Sequence, residues 1–216
     1  MLKISRSFRL ATFTALACGL FVFHDDVLAQ KSADKAEPLK PYLSCKFEDD
    51  LKVREVTRRP KSAESFRTVE TGEGTKKVSV IGGYRVMFAY PDARYFFANV
   101  KVEQSSPQDY AQDKETVIAE VKHLPSMKNV AEPMAYGGER DFNGYESHGA
   151  DRGVIDKGGV LGIHALFSDT DHVIITVYFL NQGRENRRFQ SIEEYRVLRD
   201  KFLDRYTSCI KEAASR

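Results

Sequence analysis

Charge excess, cysteine clusters and long apolar runs are all missing from this 216-residue chain, and each absence closes off a class of function. With 33 Lys and Arg against 31 Asp and Glu, nothing electrostatic invites nucleic acid or an anionic membrane surface. The basic clusters at Arg54, Arg58, Arg59, Lys61 and at Arg184, Arg187, Arg188 read first as solvated faces and second as surfaces for a protein partner. The longest apolar run, Leu10 to Phe23, falls short of the ~20 residues a membrane helix needs. No Gly-x-Ser-x-Gly elbow is present. The glycine pairs at 82–83, 137–138 and 158–159 lack the spacing, lysine and hydroxyl residue of a phosphate loop, so they read as turns and bulges. His123, His148, His164 and His172 include no two at a spacing that shares a helix face, so there is no zinc signature. The sequence therefore assigns no catalytic residue, no metal ligand and no cofactor.

What is there begins with an address. Lys3, Arg6 and Arg9 precede the apolar run, and Val27-Leu28-Ala29 precedes Gln30, the layout of a secretory signal peptide cleaved after Ala29. An uncleaved anchor or a core helix is the alternative. Cys18 offers a lipoprotein reading, but Ala15-Leu16-Ala17 is a loose match and the Val27–Ala29 site is the better cut. The expected product is periplasmic or secreted, with residues 1–29 removed, a flexible, charged, Pro-punctuated leader over 30–41 and one α+β domain over 42–216. Cys45 and Cys209 then remain as an even pair in an oxidising compartment, which favours a disulfide over two separate buried thiols.

Period-two patterns predict strands at Phe66–Glu70, Val78–Ile81 and Tyr84–Tyr90, with Tyr84, Val86, Phe88 and Tyr90 on one face, and another at Phe96–Glu103. Ser106-Pro107 opens a helix whose apolar positions are Tyr110, Val117, Ile118, Val121 and Leu124. Three hairpins follow, turning at Asn143-Gly144, at Asp156–Gly159 and at Asp169-Thr170-Asp171. The run Val173–Leu180 is apolar on both faces, which predicts a central strand covered on each side. Ser191 and Glu194 form a capping box for a last helix. Its stripe is Tyr195, Leu198, Phe202, Tyr206, Cys209 and Ile210, with Arg196, Arg199, Lys201 and Arg205 outside it.

Chemistry could reside in two places. If the second hairpin turns at Lys157-Gly158, His164 falls opposite Asp151, a pairing that reads as a sheet polar pair, a catalytic dyad or half a metal site. Asp169, Asp171 and His172 share a loop tip that reads as a turn or a cation loop. Tyr95, Phe96 and Phe97 cannot all point inward from one strand, so Tyr95 and Phe96, with Arg184, Arg187 and Arg188, are the candidate interaction surface.

The stretch Gly83-Tyr84-Arg85-Val86-Met87-Phe88-Ala89-Tyr90-Pro91 resembles the PsbP-like superfamily, which includes bacterial DcrB-like envelope proteins. There a Gly-Tyr start, an aromatic strand and a Tyr-Pro stop recur, and the order of elements from Gly83 to Ile210 is similar. The resemblance implies an antiparallel sheet sandwiched by helices and a non-catalytic accessory role with an envelope protein partner. That superfamily shares no catalytic set, so no residue role transfers. The Lys31–Ser79 extension and the Cys45/Cys209 pair lie outside the pattern. The expectation is an exported, non-enzymatic binding factor; a small-ligand or metal-dependent protein using Asp151/His164 or Asp169–His172 is the alternative.

Overall fold

The computed structural model describes residues 39–45, 51, 53–60, 65–71, 74–89, 97–126, 133–155, 159–181 and 189–216. The signal-like segment and Tyr95, Phe96, Arg184, Arg187 and Arg188 lie outside the described residues. In chain order the elements are α1 (Lys40–Ser44), β1 (Arg54–Pro60), β2 (Ser65–Thr71), β3 (Gly74–Ala89), β4 (Ala98–Ser105) and α2 (Tyr110–His123). Then come β5 (Met134–Phe142), β6 (Tyr145–Arg152), β7 (Gly159–Ser168), β8 (Val173–Asn181) and α3 (Ile192–Ala214).

The eight strands form one sheet in the order β1-β3-β4-β8-β7-β6-β5, with β2 also on β3. Every pairing is antiparallel, as expected for an α+β chain built from hairpins. The doubly apolar segment is the central strand β8. Its Val173, Ile175, Val177 and Phe179 face the cluster under α1 and α3, while Ile174 faces the smaller cluster under α2. Helices thus cover both faces.

Alternation and aromatic bulk set the larger core. Tyr84, Val86 and Phe88 on β3 point to one face, where Phe202 of α3 meets Phe88, Phe97 and Phe179 at ring separations of 5.2, 5.6 and 5.6 Å. Edge-to-face pairs of this kind contribute about 0.5–1.5 kcal/mol each beyond burial. Cys45 and Cys209 are bridged across a Cα separation of 5.4 Å, so the disulfide joins the residue after α1 to the last turns of α3.

Several local readings are refined. Val78–Ile81 and Tyr84–Ala89 are parts of one strand, with Tyr90 outside the described residues, and Gly82-Gly83 is an irregularity within it rather than a break. A Cβ on Gly83 would lie 2.4 Å from the Val102 carbonyl oxygen, so only glycine lets β3 and β4 close there. The regular part of α2 starts at Tyr110, because Ser106–Asp109 first forms a turn in which Ser106 Oγ accepts the Asp109 N–H at 3.2 Å. In the α3 box Ser191 Oγ accepts Glu194 N–H at 3.0 Å, whereas the Glu194 carboxylate reaches Gln190 N–H at 2.8 Å, one residue beyond the cap.

Strand β1 and helix α1 were not read from the sequence. Arg58, one member of the basic cluster at Arg54–Lys61, explains how they are held. It pairs with Glu55 through Nε and Nη2, at 2.9 and 2.6 Å, and donates to the Leu43 and Cys45 carbonyls at 2.8 and 3.2 Å. It ties β1 to the end of α1.

The Asn143-Gly144 turn has φ of +56° and +84°, the left-handed pair a tight hairpin needs. The Asn143 amide reaches over α3, with the Asp204 carbonyl and Ser208 Oγ at 3.0 and 2.9 Å.

Candidate functional site

The Asp151–His164 pair exists, but the register differs from the expected one. Asp151 pairs with Gly162, and His164 with Gly149. The two side chains share a face and meet diagonally, with His164 Nε2 at 3.0 Å from Asp151 Oδ1. Space explains the shift. A Cβ on Gly149 would sit 2.1 Å from His164 Nδ1, and one on Gly162 would sit 2.1 Å from both Asp151 Oδ1 and Tyr195 Oη. Each polar side chain lies across a glycine of the neighbouring strand.

Helix α3 closes this site from above. Tyr195 Oη donates to Asp151 Oδ1 at 2.5 Å, and Arg199 Nη1 donates to Asp151 Oδ2. Arg199 was expected outside the buried stripe; it is only 7% exposed, because it lies one turn after Tyr195 and above the carboxylate. Its remaining nitrogens hold Asp200, which also accepts from Arg140 at 2.7 Å, so the network runs from core to surface. Burial pushes the Asp151 carboxyl up, but His164, Arg199 and Tyr195 together hold it below the usual carboxylate range. Burial, with Asp151 beside it, drives the Tyr195 hydroxyl well above its ordinary value. Burial opposes the Arg199 cation, yet the Asp151 and Asp200 carboxylates raise its pKa. Both Asp151 oxygens are committed and His164 is packed edge-on against Phe179 at 5.7 Å. This is a clamp between α3 and the β6–β7 hairpin.

The Asp169–His172 loop divides between the two faces. Asp169 accepts from Tyr110 Oη at 2.8 Å and Lys114 Nζ at 2.9 Å on the α2 side. Asp171 accepts from Tyr42 Oη at 2.7 Å and Ser168 Oγ at 2.9 Å on the α1 side. The two carboxylates diverge, so they do not converge on one cation.

A different constellation stands on the α2 face, near the β5 edge. Counting back from Asn143-Gly144 pairs Glu139 with His148, and Glu146 is two residues from His148 on the same face. One oxygen or nitrogen from each of Glu139, Glu146 and His148 lies within 4.8 Å of the others. The Gly137-Gly138 bulge adds Tyr136 to the same face. Between Tyr136↔Ala150 and Glu139↔His148, β5 spends one residue more than β6, so Tyr136 and Glu139 both face α2. Gly138 supports it with φ of +90°. Tyr136 Oη is 2.6 Å from His148 Nδ1, while His148 Nε2 is 2.8 Å from Glu146 Oε1. Lys114 takes the other Glu146 oxygen at 2.6 Å. Partial burial raises Glu146, but Lys114 and His148 outweigh it and the carboxyl is held below its ordinary value.

Sequence reasoning missed this second constellation and the Tyr195–Arg199 arm of the first. The Asn-Gly register, counted outward, was the available signal for Glu139, Glu146 and His148. For Tyr195 and Arg199 it was their one-turn spacing. Comparison of the chain with protein-family models, with curated proteins and with solved structures finds no significant match.

Proposed function

We propose that this protein is an exported, non-enzymatic binding or accessory factor of the bacterial envelope. The observation that carries the reading is the closure of Asp151. The residues with the strongest sequence claim to catalysis are used up as an internal clamp, and Asp169 and Asp171 diverge, one held by Tyr110 and Lys114 and the other by Tyr42 and Ser168. The signal-like start and the Cys45–Cys209 bridge fit a chain that matures in an oxidising compartment. Helices on both faces of an antiparallel sheet are compatible with a PsbP-like assignment, which remains part of the proposal. No helix among the described residues is long and apolar enough to cross a membrane.

Cross-linking of the mature protein in its native envelope, followed by mass spectrometry, tests the reading. One reproducible protein partner, lost when Tyr95, Phe96 or the Arg184–Arg188 cluster is substituted, is the expected result. Turnover of a small molecule by the purified chain, abolished by a substitution that leaves folding intact, would overturn it.

A further inference from the structure

We propose that Glu139, Glu146 and His148 form a binding site for a divalent first-row transition metal, with zinc as its test ion. The inference stands apart from the accessory role and uses none of the residues that role was read from.

The donors fit such an ion. One imidazole nitrogen and two carboxylate oxygens are a mixed set suited to zinc, and three protein ligands leave a position for water or a further donor. Their ligand atoms already lie within 4.8 Å of one another, so small side-chain adjustments bring all three onto one centre. Two strands joined by a tight turn hold them: Glu139 directly across from His148, and Glu146 beside it.

The surroundings resemble those of a metal ligand rather than of an ordinary surface pair. His148 is 2% exposed, and its ring is fixed by Phe167 at 6.2 Å and Tyr136 at 6.1 Å. With Nε2 on a metal, Nδ1–H would donate to Tyr136 Oη, the outer hydrogen bond that orients ligating histidines. Tyr136 reaches that position only because of the Gly137-Gly138 bulge. Lys114 does not block the site, because it binds Glu146 Oε2 and leaves Oε1 beside His148. Glu139, Glu146 and Asp169 outnumber the two cations at this corner, Lys114 and Lys122, the latter 5.9 Å over the Tyr136 ring, so a cation here meets a net negative charge.

The test is calorimetric titration of the full chain, stripped of metal with a chelator, with zinc chloride. The expected result is binding at one zinc per chain. E139Q removes an exposed ligand and should weaken affinity tenfold or more while leaving the metal-free melting temperature unchanged. Y136F, which touches the metal only through His148, should weaken it roughly 10- to 100-fold. A merely structural tyrosine would leave the zinc affinity unaltered. The proposal is overturned if the wild-type chain takes up no stoichiometric zinc. It is equally overturned if E139Q and Y136F bind zinc as tightly as wild type, which would place the ion elsewhere.

Discussion

Replacing Arg199 by Met tests whether the Asp151 network holds α3 to the sheet. Methionine keeps most of the aliphatic stem and removes the guanidinium, so Asp151 would stay buried with only His164 and Tyr195 as donors. Arg199 is 7% exposed and Asp151 is as well covered, so the pair is not screened like a surface ion pair. Breaking a buried pair by removing one partner costs about 3–5 kcal/mol. For a domain of this size that is a loss of roughly 6–20 °C in melting temperature. Urea unfolding at pH 7 with the disulfide intact measures it. Acid supplies a second readout. The Asp151 pKa is lowered in the folded protein, so its stabilisation is present above the unfolded carboxyl pKa and is lost as pH falls through the folded one. Without Arg199 the folded pKa rises and the protonated acid becomes the better buried form. The gap between wild type and R199M should therefore shrink below about pH 4. The double variant D151N/R199M, which has neither charge, should regain most of the loss. A cost for R199M under about 1 kcal/mol would refute the reasoning, as would a double variant no more stable than R199M.

Substituting both Cys45 and Cys209 by Ser frees a loop with a sequence separation of 164 and should cost up to about 5 kcal/mol, read as a lower urea midpoint. Mass mapping of the non-reduced protein should recover the two cysteines in one linked peptide pair. G149A places a methyl in the space of the His164 ring and should expel it, with a loss of about 3 kcal/mol or more and an altered near-UV spectrum. N143A gives up the left-handed turn residue and its hydrogen bonds to α3, for about 2 kcal/mol; N143G should recover the backbone share alone. The mature protein isolated from its native envelope should begin at Gln30, as mass spectrometry of the intact chain can show.

Local chemistry was legible wherever a short run of residues decides the outcome. Asn143-Gly144 requires a tight turn because both positions have positive φ, and it appears where the dipeptide stands. Val173–Asn181 is central because its apolar side chains fill both faces, and Ser191 caps α3 because its hydroxyl meets an otherwise unpaired amide. Strand β1 was not legible, because Arg54–Pro60 is charged and becomes a strand only by pairing with β3. Arg199 was not legible either. A guanidinium on a helix reads as solvated until a carboxylate on a distant hairpin is found beneath it.

By itself the sequence determined the antiparallel α+β class, the hairpin turns, the closing helix and the pair of cysteines able to bridge. These follow from backbone sterics and hydrophobic period, which act within a few residues. Only the tertiary structure decided what the polar groups do. It turned Asp151 and His164 into a clamp and gathered Glu139, Glu146 and His148 at one edge. Register, bulges and helix docking place such side chains, and those depend on space left by residues far away in the chain, such as Gly149 and Gly162 beneath α3.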